Sequence, residues 1–337
     1  MKILISSHAF APSIGGIETV GELLAAEFFR LGHPVTVVTH TLAEGAENLP
    51  YPVARQPSLS ELIRVIRWSD IFWHNNLSLR TLWPALLVSK PIVITHQGSY
   101  CRAPRGVDLV QRLKHTIVRH STSVASSKAV AACFATTSTL IYNPYDARKF
   151  SFDAPETERT GDLVFLGRLV SEKGVDLLLE ALAILRTRHL SPGLTIVGGG
   201  PELAPLQQLA TRLELDGQVT FSGPKRDAAL RSLLRQHKIL VVPSRYDEPF
   251  GVVALEGIAC GCVVVGSRGG GLPEAIGPCG LTFPNGDAQA LAGALESLLS
   301  RPNEHEKFLA QAPPHLAKFH PATVAETYLA LFQARLS

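Results

Sequence analysis

The alternation of short apolar runs with amphipathic stretches constrains the fold of this chain more than any other feature of its sequence. Each apolar run has the length of a β-strand, and the stretch after it has the periodicity of a helix. Because parallel neighbours need a long crossover, the alternation predicts right-handed βαβ units and parallel sheets. The predicted strands are 2–6, 34–40, 70–74, 91–96, 138–142, 162–166, 194–198, 218–222, 239–243, 262–265 and 280–283. The predicted helices are 17–31, 107–119, 174–189, 202–214, 226–237, 252–260, 287–300 and 321–335.

The chain is long enough for two domains. Its 337 residues exceed what one ordinary core holds. A polar, proline-containing stretch at 151–161 separates two blocks of strands and helices. Apolar residues make up 46% and charged residues 18%, so we expect no long disordered tract. We predict an α/β protein of two Rossmann-like domains, 1–150 and 151–318, with parallel sheets facing a cleft.

The net charge gives no reason to expect nucleic acid, but the basic residues are unevenly placed. The formal charge is +3, while residues 1–150 hold 15 Lys and Arg against 9 Asp and Glu. Residues 80–128 hold eight basic side chains and one acid, Asp108. Such a cluster is either a solvated face or a contact for an anionic partner. Its basic members are Arg80, Lys90, Arg102, Arg105, Arg112, Lys114, Arg119 and Lys128.

The chain start and the apolar runs indicate a cytoplasmic protein. Met1 leads directly into a predicted strand and not into a signal peptide. No apolar run approaches the roughly 20 residues that a membrane-spanning helix needs. The amphipathic segment 107–119 either packs on the core with a solvated basic face or lies against an anionic membrane surface.

Ligands of open α/β sheets bind beyond the carboxyl ends of the strands, so the loops there are the candidate sites. The first holds Gly15 and Gly16, at the start of a predicted helix. Adjacent glycines let backbone N–H groups approach a phosphate, although a Gly-Gly pair is often only a turn. The spacing is not that of the dinucleotide motif Gly-x-Gly-x-x-Gly, which disfavours NAD.

The second loop, 167–174, places Arg168 and Lys173 five residues apart after a predicted strand. A guanidinium fork and an ammonium group near a helix start suit a diphosphate. Two ordinary surface cations are the alternative interpretation.

The third loop carries two carboxylates, Glu248 and Glu256, on either side of a predicted helix start near Gly251. One carboxylate can then bind sugar hydroxyls and the other ribose hydroxyls. Phe250 and Gly251 offer N–H donors where the helix begins. Two unrelated surface acids are the alternative, but Glu256 lies in an apolar run where burial without a partner is costly.

Together these motifs resemble the retaining GT-B glycosyltransferases of family four, also called glycosyl transferases group 1. The resemblance rests on Glu-Pro-Phe-Gly-x-x-x-Leu-Glu at 248–256, Gly-Arg-x-x-x-x-Lys-Gly at 167–174 and Gly-Gly-x-Glu at 15–18. It implies that 1–150 binds the acceptor, that 151–318 binds a nucleotide sugar, and that a C-terminal helix in 319–337 crosses back to the N-terminal domain.

The resemblance also implies roles for single residues of the C-terminal domain. Arg168 and Lys173 would hold the diphosphate, and Glu256 would accept hydrogen bonds from the ribose. Glu248, with the N–H groups of 250–252, would hold the transferred sugar.

In the N-terminal domain the resemblance places Gly15 and Gly16 against the phosphate and His96 near the donor sugar. A single histidine at a strand end is otherwise more often structural. No Asp-x-Asp occurs in the sequence, so we expect no metal or other cofactor.

The resulting prediction is a metal-independent hexosyltransferase using a nucleoside-diphosphate sugar, UDP first and GDP second. A glycan, a lipid-linked molecule or a small molecule would be the acceptor, in polysaccharide or lipopolysaccharide synthesis, and the enzyme would be peripheral at the inner membrane face. Retention of configuration follows from the resemblance, and no residue stands out as a covalent nucleophile. A sugar-nucleotide isomerase or epimerase and a non-catalytic nucleotide-sugar-binding subunit are the alternatives on the same fold.

Overall fold

The computed structural model describes residues 1–13, 15–43, 49–88, 90–98, 117–133, 137–152, 159–301 and 303–337. The chain forms two compact units. One consists of Met1–Asp146 and Phe319–Ser337, and the other of Ala147–Lys318.

The first unit contains a parallel sheet of seven strands among its described residues, in the order β3-β2-β1-β4-β5-β6-β7. Apolar strands form its centre, and helices cover its faces. The strands are β1 Ile3–Ser6, β2 Val35–Thr39, β3 Val53–Arg55, β4 Ile71–Asn75, β5 Ile92–His96, β6 Thr122–Ala125 and β7 Thr139–Leu140. The helices are Gly16–Arg30, Leu59–Trp68, Leu79–Leu82, Lys128–Ala131 and Pro321–Leu336, with a 3-10 turn at Trp83–Leu87.

The second unit repeats this topology with six parallel strands in the order β10-β9-β8-β11-β12-β13. The strands are β8 Gly161–Leu166, β9 Leu194–Val197, β10 Val219–Gly223, β11 His237–Val242, β12 Val263–Ser267 and β13 Gly280–Phe283. The helices are Val175–Thr187, Leu203–Arg212, Asp227–Gln236, Val252–Ala259, Leu272–Ile276, Ala288–Ser300, Asn303–Leu309 and Ala312–Leu316, with 3-10 turns at Ser171–Lys173 and Ala317–Phe319.

Both sheets have the strand order of a Rossmann-like fold, which confirms the predicted fold class. The order reverses between β1 and β4 in one unit and between β8 and β11 in the other. Ligands of such sheets bind beyond the carboxyl ends of the strands at this reversal. The loops that follow these four strands are therefore the places to look for a site.

The C-terminal helix packs inside the first unit. It begins after His320 with Pro321 in its first turn, where a missing N–H costs nothing. Tyr328, Phe332 and Ala325 are buried in the same core as β1 and β4. Across the described ranges, none of the helices has the length and apolar character that crossing a membrane requires.

Several elements were not predicted or were predicted only in part. The helices that were not predicted are Leu59–Trp68, Leu79–Leu82, Lys128–Ala131, Leu272–Ile276, Asn303–Leu309 and Ala312–Leu316. Two strands were not predicted, β3 and β6, and only Thr139–Leu140 is a strand within the predicted 138–142. The short β3 lies at the edge of the sheet and is only half-buried, so it lacks an apolar run. Most of the predicted helix 107–119 lies outside the described residues.

Candidate active site

The loops after β8 and β11 are joined at the reversal of the second sheet. The Arg245 amide donates to the Glu172 carbonyl at 2.9 Å. Gly174 follows in the left-handed region, with φ 65°, and a Cβ there would lie 2.0 Å from the Pro243 carbonyl oxygen. Only glycine allows the two loops to approach this closely. Their close approach brings Lys173 of one loop to Glu248 of the other.

Glu248 is the centre of this site. Its side chain is buried, with 5% of the residue exposed, yet its oxygens are well satisfied. Lys173 Nζ lies 2.6 Å from Oε1, and the Ser244 hydroxyl donates to the same oxygen at 2.6 Å. The Tyr246 hydroxyl donates to Oε2. Three donors therefore hold one carboxylate, which offsets the cost of burying its charge.

Tyr246 links the cation to the carboxylate. Lys173 Nζ donates to the Tyr246 hydroxyl at 3.2 Å and lies 5.1 Å from the centre of its ring. Burial, followed by the charge of Glu248, raises the pKa of Tyr246 well above its usual range. The phenol is therefore neutral, and its O–H group donates a hydrogen bond to the carboxylate.

The sequence assigned Lys173 and Glu248 to different parts of a ligand, and the structure joins them in an ion pair. It also adds Ser244 and Tyr246, which sequence reasoning missed. Both residues lie between the end of β11 and Glu248, and this position is the signal in the sequence that could have identified them. Arg168 is exposed, and its guanidinium forms no ion pair or hydrogen bond with any residue that the structure describes.

The helix Val252–Ala259 begins beside this carboxylate. Gly251 is left-handed, with φ 96°, and a Cβ there would meet Leu272 Cδ1 at 2.6 Å. Phe250 is 2% exposed and anchors the turn. The Ala254 N–H donates to the Gly251 carbonyl at 3.0 Å. The N–H groups ahead of it, at the helix start, have no intrahelical partner and favour an anion or a hydroxyl oxygen. Glu256 lies in the second turn of the helix and is half-buried, as the spacing predicted.

His96 is the last residue of β5 in the first unit and is 1% exposed. Burial lowers the pKa of its imidazole to about 4, so the ring is neutral at pH 7. The Ser126 hydroxyl donates to its carbonyl at 3.1 Å. The preceding Thr95 contacts Tyr328 of the C-terminal helix through their hydroxyls at 2.8 Å.

A buried amide network lies next to His96. Gln97 Nε2 donates to Asn75 Oδ1 at 3.1 Å and to Asn143 Oδ1 at 2.9 Å. Asn143 returns a hydrogen bond to Gln97 Oε1 at 2.7 Å. Asn75 Nδ2 donates to the Ile17 carbonyl at 2.7 Å, next to the glycine loop. The network fixes the ends of β4 and β5 relative to that loop.

The glycine pair begins the helix Gly16–Arg30. Gly15 is extended, a conformation open to any residue, and a Cβ on Gly16 would meet nothing within 4 Å. The packing of the described residues therefore does not require glycine at 16. The N–H groups of this first helical turn are available to a ligand.

The predicted site residues thus fall into two sets. Those of the first unit lie after β1 and at the end of β5, and those of the second unit follow β8 and β11. The first set is Gly15, Gly16 and His96. The second set is Arg168, Lys173, Glu248, Phe250, Gly251, Val252 and Glu256.

The basic region 80–128 is only partly described. Ile117 and Val118 are 4% and 8% exposed and pack with Leu82 and Ile94, so they face the core and not a membrane. Arg119 is exposed. Outside the described residues lie Arg102, Arg105, Asp108, Leu109, Val110, Arg112, Leu113 and Lys114.

Among the residues that the structure describes, no group of three or more His, Cys, Asp or Glu is arranged to hold a metal ion. The cationic groups at the candidate site are those of Lys173 and Arg168.

Two Rossmann-like units with parallel sheets define the GT-B class of glycosyltransferase folds, and solved structures match this chain over nearly its whole length. A glycosyltransferase from Rickettsia africae matches with a TM-score of 0.81 at 18% identity, covering 100% of this chain and 98% of that one. Anabaena Alr3699/HepE, crystallised with UDP and glucose, matches with a TM-score of 0.81 at 21% identity, covering 99% and 100%.

The chain belongs to the family of glycosyl transferases group 1, whose model matches residues 146–314. A D-inositol 3-phosphate glycosyltransferase of Corynebacterium jeikeium is 39% identical over 184 residues, 52% of this chain and 44% of that protein. The chain thus spans less than half the length of that relative. A GDP-mannose-dependent alpha-(1-6)-phosphatidylinositol monomannoside mannosyltransferase of Mycolicibacterium smegmatis is 28% identical, covering 89% of this chain and 90% of that protein.

Proposed function

We propose that this protein is a retaining, family-four glycosyltransferase that moves a hexose-type sugar from a nucleoside-diphosphate sugar to an acceptor. The observation that carries the proposal is the buried Glu248 carboxylate, held by Lys173, Ser244 and Tyr246 at the reversal of the second sheet. A carboxylate fixed at this edge, beside a cation and a helix start, suits a ligand with hydroxyls and a phosphate.

UDP is the first candidate for the donor nucleotide and GDP the second. The Anabaena structure contains UDP, and the mycobacterial relative is named as GDP-mannose-dependent. Glu256 would accept hydrogen bonds from the ribose hydroxyls, because it lies one turn inside the helix whose first N–H groups face the ligand.

Arg168 and Lys173 would bind the diphosphate and stabilise the charge that develops on the leaving group. Lys173 reaches a phosphate from a position in which Glu248 and Tyr246 already orient it. Arg168, exposed at the start of the same loop, provides a planar donor fork. With two cations there, the reaction would need no metal and no other cofactor.

Glu248 and the N–H groups of 250–252 would bind hydroxyls of the transferred sugar. His96 would act from the first unit as a neutral hydrogen-bonding group, since burial lowers the pKa of its ring to about 4. The open space at Gly16 suits a phosphate approaching the first helical turn.

The first unit would bind the acceptor, which is a glycan, a lipid-linked molecule or a small molecule. The family resemblance favours polysaccharide or lipopolysaccharide synthesis in the cytoplasm, at the inner face of the membrane. Contact with anionic lipid would depend on the basic region 80–128.

A donor screen tests the proposal. UDP, GDP and ADP sugars are compared in calorimetry and in a donor-hydrolysis assay, each with and without EDTA. We expect one nucleotide to bind and turnover to survive chelation. Loss of turnover with EDTA, restored by Mg²⁺, would rule out the metal-free mechanism, while binding without transfer or hydrolysis would favour the non-catalytic alternative.

The same assays distinguish the proposed roles of the two carboxylates, Glu248 and Glu256. Glu256→Gln should weaken binding of the bare nucleotide, because the ribose contact does not need the sugar. Glu248→Gln should lower kcat and weaken nucleotide binding less than Glu256→Gln does, because its proposed partner is the transferred sugar and the amide oxygen can still accept a hydrogen bond from Lys173. Glu306→Gln, an exposed change in Asn303–Leu309, is the control. Equal losses of nucleotide affinity in the two site variants would contradict these roles.

A further inference from the structure

Three residues able to carry positive charge follow three neighbouring strands of the first sheet. His40 follows β2, His8 follows β1 after one residue, and Arg80 lies in the short helix after β4. These strands are adjacent, in the order β2-β1-β4. Because the carboxyl ends of parallel strands share one edge, the three side chains lie at the reversal where α/β sheets bind ligands.

The local structure holds the two histidines together. Their ring centres are 5.3 Å apart, with the planes tilted by 48°. The His40 amide and the Thr39 hydroxyl both donate to the His8 carbonyl, each at 3.2 Å. Burial is the main cause that lowers the pKa of His40, and His8 and Arg80 act in the same direction.

No acid neutralises this group of residues within the described part of the chain. His8, His40 and Arg80 form no ion pair with a described carboxylate, whereas Lys173 is paired with Glu248 in the second unit. Glu18, in the helix that begins at this edge, accepts a hydrogen bond from the Ser13 hydroxyl at 3.3 Å. A guanidinium without a described acid as partner, at the same edge as two imidazole rings that can donate N–H groups, favours an anion.

We propose that His8, His40 and Arg80 bind a phosphate group carried by the acceptor. This rests on the proposed function, since it gives the first unit an acceptor to bind. A guanidinium fork and imidazole N–H groups match the several oxygens of a phosphate. The acceptor is then a phosphorylated molecule, either a soluble sugar phosphate or the headgroup of a lipid.

The strand order sets how far this phosphate lies from the reaction. His96 ends β5, which is two strands from β1 across β4. At about 4.8 Å for each strand, the two positions are roughly 10 Å apart. The phosphate is therefore held away from the hydroxyl that receives the sugar, and its role is to bind and orient the acceptor.

Binding of two soluble probes tests the site in the full chain. Glucose 6-phosphate and glucose are titrated by calorimetry into the parent protein and three variants. We expect glucose 6-phosphate to bind more tightly than glucose, and Arg80→Gln and His40→Asn to weaken it about tenfold or more, as the loss of a charge-assisted contact does. Arg67→Gln is the matched control, because it removes one exposed positive charge at the opposite edge, where Leu59–Trp68 ends ahead of β4.

A second arm identifies the source of the phosphate. Vesicles of phosphatidylcholine with phosphatidylinositol are compared with phosphatidylcholine alone in co-sedimentation. Binding of the phosphatidylinositol vesicles that falls in Arg80→Gln, without binding of glucose 6-phosphate, supports a lipid headgroup; the reverse supports a soluble acceptor.

Two results would overturn the inference. One is that glucose 6-phosphate binds no better than glucose and that vesicles with phosphatidylinositol bind no better than net-neutral phosphatidylcholine vesicles. The other is that Arg67→Gln weakens binding as much as Arg80→Gln. UDP affinity is measured in the same samples. If the parent protein does not bind UDP, the proposed donor site is contradicted. The binding of the phosphate probes is then judged separately from the proposed donor site.

Discussion

At the scale of single residues, the pairing of Lys173 with Glu248 determines how substitutions at the proposed donor site will behave. Lys173→Ala removes a proposed phosphate ligand and also leaves a buried carboxylate without its cation, which typically costs about 3–5 kcal/mol of stability. Arg168→Ala removes only an exposed cation. We expect both variants to weaken UDP binding roughly 10–150-fold, and only Lys173→Ala to lower the unfolding temperature clearly.

Calorimetry with UDP and thermal unfolding measure these two effects separately. Arg212→Ala is the control, since Arg212 is an exposed cation of the same unit in the last turn of the helix ahead of β10. If Lys173→Ala and Arg168→Ala unfold at the same temperature, Lys173 does not stabilise the buried Glu248.

A buried histidine makes stability depend on pH. His74 of β4 is fully buried beside the ring of Phe72, and burial lowers the pKa of its imidazole to about 3. The unfolded chain takes up this proton near the usual pKa of about 6.5, so His74 favours unfolding progressively as the pH falls from about 6.5 toward 3. Above that range its neutral ring has no such effect.

We expect His74→Leu to reduce this loss of stability. Urea unfolding at pH 7 and at about pH 4.5 gives the comparison, and the difference between the two pH values should be smaller in the variant by up to about 2–3 kcal/mol. His189→Leu, an exposed change in the other unit, serves as the control. An unchanged pH dependence in His74→Leu would show that His74 is protonated in the folded protein.

Candidate site residues could be proposed from the sequence because residue chemistry and spacing are visible in it, whereas the partners of each group are not. Glu248 and Lys173 were predicted to bind different parts of a donor, and these roles stay predictions. Their direct pairing depends on how two loops, 75 residues apart in sequence, meet across the ends of β8 and β11. Ser244 and Tyr246 are ordinary residue types after a strand, and only the folded loop aims their hydroxyls at one carboxylate.

At the scale of elements, Gly174 allows the close approach of the two loops of the proposed donor site. Gly174→Ala would place a Cβ 2.0 Å from the Pro243 carbonyl oxygen in a left-handed conformation. The conformation alone costs about 1–2 kcal/mol, and a backbone atom cannot move aside as a flexible side chain would. We expect a marked loss of stability together with weaker UDP binding.

Gly293→Ala is the matched comparison for Gly174→Ala. Gly293 lies inside the helix Ala288–Ser300, and a Cβ there would meet nothing within 4 Å. Its replacement should be stabilising by up to about 1 kcal/mol, because glycine is a poor helix former. Chemical denaturation of both variants measures the difference, and equal effects would show that the approach to Pro243 is not required.

The elements that were not predicted differ in how clearly the sequence indicates them. The helix Leu59–Trp68 had a readable start, since the Ser58 hydroxyl caps the Glu61 amide at 3.3 Å in a Ser-x-x-Glu pattern. Strand β6 is short and polar in composition, although most of it is buried. It is a strand because β5 and β7 pair with it, and that long-range contact leaves no local pattern.

At the scale of the whole molecule, the first unit is built from both ends of the chain. Tyr328 of the C-terminal helix is 1% exposed, and its ring packs against Trp73 with centres 5.2 Å apart. Its hydroxyl meets the Thr95 hydroxyl, which also accepts a hydrogen bond from Trp73 Nε1 at 2.8 Å. The last residues of the sequence therefore complete the core directly behind His96.

Substitutions of Tyr328 test this arrangement. Tyr328→Phe should cost about 0.5–1.5 kcal/mol, because it removes one hydrogen bond and keeps the ring. Tyr328→Ala should cost about 3–5 kcal/mol, because it also opens a cavity in the core of the first unit. Glu326→Ala, an exposed change in the same helix, should have little effect. Because Tyr328 belongs to the first unit and the proposed nucleotide ligands to the second, UDP affinity should persist in Tyr328→Phe, while turnover, in which we propose a role for His96, should fall. Unfolding, UDP calorimetry and donor hydrolysis together measure these outcomes; a variant that loses UDP binding and turnover equally would place Tyr328 in support of the nucleotide ligands instead of His96.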